Sequence, residues 1–145
     1  MPVDLPDMSM PQEHDDMHVA QQILSYIKEM EGWRIRLREF HWSTFKNSEH
    51  KLTDDFMSFM EGKEDEVAEN MQGVLGMRIE VGDVVPTMPQ ANTLISLVQN
   101  ILNSTTELKN AVSSAIPGGK MDGLTNILDD VIKECGRVAY LTRMD

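Results

Sequence analysis

The chain predicts an all-α protein, a four-helix bundle with a long crossover between its second and third helices. Apolar residues recur at three- and four-residue steps in four separate stretches, the spacing that lines one face of a helix. No stretch alternates with period two for long enough to argue a strand. Beyond the N-terminal region, Gly and Pro break the pattern mainly at Gly76, Gly82, Pro86 and Pro89 and again at Pro117-Gly118-Gly119.

The first helix is expected over 18–42, where Val19, Ile23, Tyr26, Ile27, Met30, Trp33, Leu37 and Phe40 form the stripe. Gly32 interrupts it at a cost of roughly 1 kcal/mol relative to Ala. A polar stretch, 43–48, leads to a second helix with Ser48 as its expected N-cap and Leu52, Phe56, Phe59, Met60, Val67, Met71 and Val74 as its stripe. The proline-punctuated crossover is long for a loop, so it is expected along the outside of the bundle. A third helix is expected over 91–115, with Leu94, Leu97, Val98, Ile101, Leu102, Leu108 and Val112 on one face. A fourth, over 122–143, carries Leu124, Ile127, Leu128, Val131, Ile132, Cys135, Val138 and Leu141.

At 145 residues this is one bundle domain, assigned to 18–145, preceded by a flexible acidic tail, 1–17, that carries Pro2, Pro6 and Pro11. No leader-like segment and no apolar run of spanning length is expected, and a lone Cys135 fits a reducing, cytoplasmic setting. The net charge of −11 disfavours phosphate backbones and favours cations. Twelve Met residues read as flexible core filler.

The chemistry-bearing residues concentrate between His41 and Glu69. His50 and Asp54 are four apart, as are Asp65 and Glu69, so each pair projects from one helix face and can converge on a cation. Imidazole with carboxylate suits first-row divalent ions, iron, manganese and zinc among them. At about 100° per residue, with His50 at zero, Asp54 falls near 40°, Asp65 near 60° and Glu69 near 100°, while the apolar stripe centres near 250°. The four therefore face away from the subunit's own core, which is also what an ordinary solvated charged face does. At about 1.5 Å per residue the two pairs lie roughly 22 Å apart, so one chain cannot bring all four to one ion. Two chains with antiparallel second helices across a two-fold axis can, and isologous contact makes such sites in pairs.

The string Phe40-His41-Trp42, then His50-x3-Asp54, then Asp65-x3-Glu69 resembles the ferroxidase signature of the Dps family of mini-ferritins. The resemblance covers about 18–143 and is motif-specific from Phe40 to Glu69. It implies a ferritin-like fold, with His41, His50 and Asp54 of one subunit and Asp65 and Glu69 of its partner binding iron. Trp42 corresponds to the aromatic beside the site. It further implies Fe(II) oxidation by peroxide or oxygen, storage of Fe(III), and a homo-oligomer built from two-fold dimers into a dodecameric cage.

The segment between the two histidines is a few residues shorter than is usual in that family, and the crossover is too short and proline-rich for the family's extra small helix. The lysine-rich extension of DNA-binding members is absent, so DNA condensation is not expected. The intrasubunit alternative lacks any Glu-x-x-His motif. A ferritin-like structural or assembly protein with a vestigial or non-iron site stays open as the second reading. His14, Asp15, Asp16 and His18 form a metal-competent cluster better explained as an acidic lead into the first helix. Asp122, Asp129 and Asp130 sit where the resembled cages line an entry pore, or are first-turn acids of the fourth helix.

Overall fold

The structure is a computed structural model and describes residues 11–143, with side chains from Asp15 onward. It is all-helical: α1 (Pro11–Ser43), α2 (Asn47–Leu75), α3 (Leu94–Ala115) and α4 (Asp122–Thr142), with no strand among the described residues. Among those residues no helix is long and apolar enough to cross a membrane.

α1 packs beside α2 and α3, and α4 packs beside the same two, so the four form a square with α1 and α4 on one diagonal. Three-residue 44–46 turns α1 back into α2. The contacts Tyr26 with Thr105 and Trp33 with Asn100 run α3 antiparallel to α1. Lys63 with Asp130 meets α2 on α4, and Asn70 lies against Gly123 further along, so that pair is antiparallel too. α2 and α3 are therefore parallel, and the 76–93 crossover spans the bundle's length to connect them.

The core is one cluster drawn from all four helices, including the expected Val19, Ile23, Trp33, Phe56, Met60, Leu97, Ile101, Leu128 and Val138. Met30, Met60, Met71 and Met121 are buried, as filler would be. The polar tips of the large aromatics are satisfied inside it. Thr105 Oγ1 donates to the Ile101 carbonyl at 2.6 Å, so the Tyr26 hydroxyl, 2.8 Å away, donates to Thr105. Trp33 Nε1 donates to Asn100 at 2.9 Å, and its ring meets Tyr26 edge-on with centroids 5.3 Å apart. Cys135 is buried and its thiol is pushed up to about 12 by desolvation, with Glu134 adding to it, so it is inert core.

Several boundaries differ from the sequence expectation. α1 begins at Pro11, the position where a missing N–H costs a helix nothing, rather than at residue 18. The expected tail thus overlaps the helix over 11–17, while 1–10 lies outside the described residues. Asp16 helps hold that extension by pairing with Lys120 of the α3–α4 connection at 2.7 Å. Lys46, not Ser48, occupies the N-cap of α2. α3 starts three residues later than expected, where Thr93 and Ser96 form a reciprocal capping box. The chain closes α2 with Gly76 in the left-handed region, φ 72°, its N–H bonded to the Gln72 carbonyl.

The crossover runs along the outside of the bundle, as expected, with only Ala91 of 76–93 buried, and it is fastened to α1. Thr87 N–H donates to the Lys28 carbonyl at 2.9 Å, and Arg36 donates to the Ala91 carbonyl at 2.9 Å. Gly32 sits beneath this strap. A Cβ there would overlap the Thr87 carbonyl oxygen and lie 2.7 Å from its carbon. The glycine is the price of close backbone approach.

Candidate metal half-site

The three-residue turn between α1 and α2 brings His41, in the last turn of α1, against His50, in the first turn of α2. Their rings stack with centroids 3.8 Å apart and an interplanar angle of 22°. Each ring bonds the other residue's backbone. His41 Nδ1 lies 2.8 Å from the His50 carbonyl, and His50 Nδ1 lies 3.0 Å from the His41 carbonyl. A carbonyl only accepts, so both Nδ1 atoms carry the proton. In the neutral rings the lone pair then sits on Nε2 in both. Thr53 braces the arrangement: its hydroxyl is 3.2 Å from His41 Nδ1 and bonds the Glu49 and His50 carbonyls.

Asp54 is exposed one turn beyond His50, and Asp65 and Glu69 are exposed farther along α2. The outward orientation expected from the helical wheel is what the structure has. Because α2 is unbroken from Asn47 to Leu75, the separation of the two pairs remains about 22 Å. The chain therefore brings His41 and His50 together and keeps Asp65 and Glu69 apart from them. Among the described residues, no three His, Cys, Asp or Glu side chains of one chain are grouped to hold a metal ion. Trp42 and Phe45 stand exposed beside the histidines, Trp42 with the Arg38 guanidinium 6.0 Å from its ring.

No family model, no curated protein and no solved structure matches the chain. The reading of the site rests on its residues.

Three of the other acidic candidates, Asp129, Asp130 and Asp16, have partners inside the chain. Asp129 pairs with Lys109 at 2.5 Å and Asp130 with Lys63 at 3.0 Å, while Asp122 stands in the first turn of α4. Asp16 is committed to Lys120, Asp15 and His18 are exposed, and the side chain of His14 lies outside the described residues.

One ionisable cluster was not anticipated. Glu64 occupies a buried position of the α2 stripe, between Met60 and Val67, and its carboxyl meets Glu31 and Arg34 of α1. Desolvation, then the Glu31 carboxylate, push it up to about 8, against the lowering pull of Arg34. Arg34 contacts Glu31 at 3.1 Å, Glu64 at 3.5 Å and Glu61 at 3.6 Å. The signal in the sequence was a glutamate four residues after Met60 and three before Val67, at a core position of the helical repeat.

Proposed function

We propose that the chain is an iron-oxidising and iron-storing protein of the ferritin-like kind, a divergent relative of the Dps mini-ferritins. Its ferroxidase site is completed between two subunits. His41, His50 and Asp54 come from one, Asp65 and Glu69 from its two-fold partner. The observation that carries this reading is the mutual clasp of the two histidines. Metal-binding imidazoles characteristically give their second N–H to a backbone carbonyl or carboxylate, which fixes the tautomer and aims the remaining lone pair. Here both rings do so, at the two positions the motif names.

The diagonal crossover between parallel second and third helices supports a ferritin-like topology. The exposure of Asp54, Asp65 and Glu69 leaves them free to meet a second chain. The stacking also bears on stoichiometry. Nearly parallel rings 3.8 Å apart do not aim two lone pairs at one ion about 2 Å away, the imidazole distance typical of zinc. Two histidines so placed serve neighbouring positions, as a two-iron site requires, or only one of them is a ligand.

Fe(II) is substrate. The acidic chain attracts it, and the carboxylates and neutral imidazoles hold it with their fixed geometry. Two Fe(II) give two electrons to one hydrogen peroxide, which with two protons leaves as two waters. Pairwise delivery avoids the one-electron step that releases hydroxyl radical. Fe(III) is then stored within the cage. A structural or assembly subunit is the second reading, favoured by the exposed Trp42 and Phe45 at one end of the bundle. The two separate in one experiment, which measures native mass and iron oxidation under peroxide together. A large symmetric assembly that oxidises iron faster than buffer supports the ferroxidase. An assembly that oxidises no faster supports the structural reading, and a metal-free monomer contradicts both.

A further inference from the structure

We propose that the chain binds a linear acyl carboxylate in a groove at the end of the bundle where α2 and α3 begin and α4 ends. The groove holds about 650 Å³ and adjoins the outer α2 face at Lys51, but none of His41, His50, Asp54, Asp65 and Glu69 lines it. Its floor is apolar, formed by Leu52, Leu94, Ile95 and Leu141, and Ile95 remains 43% exposed without a covering side chain. That volume is within the range of pockets that hold small molecules.

The rim is cationic in an otherwise acidic protein. Lys46, Lys51, Arg137 and Arg143 line it against two acids, Glu49 and Asp55. Four of the chain's 13 Lys and Arg thus gather around one apolar floor while the whole chain carries −11. One of the two acids is partly occupied. Glu49 accepts from the Thr44 hydroxyl at 3.0 Å, outside the lining. The N-termini of α2 and α3 meet the C-terminus of α4 at this end, so their dipoles partly offset and the side chains of the rim set its sign. An anionic head on an apolar chain satisfies both halves. The chain covers Ile95 and Leu141 while the carboxylate meets Lys46, Lys51 and the planar fork of Arg143; Arg137 already gives Nε and Nη2 to Glu134, at 2.8 and 2.6 Å. A free anion leaves the floor wet, and a neutral chain leaves the rim unused.

Dodecanoate, titrated into the native assembly below its micelle concentration and followed by calorimetry, tests this, with dodecanol and acetate as controls. The expected result is saturable binding of one dodecanoate per chain, at least tenfold tighter than either control. The Lys46→Glu/Lys51→Glu double variant, altered only at exposed positions, should weaken it at least tenfold, and Ile95→Asp should do the same with the helical circular dichroism unchanged. Dodecanol binding as tightly as dodecanoate overturns the proposal, as does unchanged affinity in both variants. Absence of saturable binding, with Lys46 cross-linking to a neighbouring chain, also overturns it and makes the groove a contact between copies.

Discussion

Gly32 lies directly under Thr87, so close that a Cβ at residue 32 would overlap the Thr87 carbonyl oxygen. One turn earlier, the Lys28 carbonyl accepts the Thr87 N–H at 2.9 Å. At this point the crossover and the middle of α1 are locked backbone to backbone, with Arg36 adding a side-chain bond to the Ala91 carbonyl, and the strap fixes how α3 is delivered to its place beside α1.

The first prediction concerns Gly32→Ala. In a free helix this change stabilises by about 1 kcal/mol. Here the methyl meets backbone that can yield only by lifting the strap, so the sign reverses and destabilisation of about 1–3 kcal/mol is expected. Urea denaturation of the two proteins measures it, and a stabilised variant would mean the strap moves freely.

The Tyr26–Thr105 pair makes a second, asymmetric prediction. Tyr26→Phe removes one hydrogen bond and leaves Thr105 still donating to the Ile101 carbonyl, for a cost of about 1 kcal/mol. Thr105→Val strands the buried tyrosine hydroxyl and costs more, about 1–3 kcal/mol. Equal losses in denaturation would show that the hydroxyl finds another partner.

The third concerns pH. Glu64 in the folded chain holds its proton up to about 8, whereas the unfolded chain releases it near 4.5. Between those values the folded state binds more protons, so the contribution of Glu64 to stability falls as pH rises and levels off above about 8. Glu64→Gln keeps the shape of the protonated acid and should flatten that slope, with its largest relative gain at the alkaline end. Urea midpoints across the window check this, and an unchanged slope in the variant would place the titration elsewhere.

These relationships were unequally legible in the sequence. Helix number, the crossover and the core stripes followed from apolar spacing because each stripe is long enough to average over exceptions such as Thr53 and Glu64. The start of α1 was hidden because Pro11 and the acids after it read as a tail, and the Asp16–Lys120 pair that helps hold them is a contact 104 residues apart in sequence. Gly32 read as a tolerated defect, since its reason lies in a backbone 55 residues away. At the candidate site, the outward face of Asp54, Asp65 and Glu69 was readable from helical periodicity. The clasp of His41 and His50 was not, because it depends on how tightly 44–46 turns.

The central claim is that the site is shared between two chains, and a mixed assembly tests it most directly. Asp65→Ala changes an exposed side chain and should cost no more than about 0.5 kcal/mol. His50→Ala loses the clasp and should cost about 1 kcal/mol. Each should still fold and lose peroxide-driven Fe(II) oxidation. In a dimer containing one chain of each, one site carries both changes and the other carries neither. Refolding the two variants together in equal amounts puts about half of the chains in such dimers, so about a quarter of native activity should return. No recovery, from mixtures shown by mass to contain mixed assemblies, would contradict the shared site.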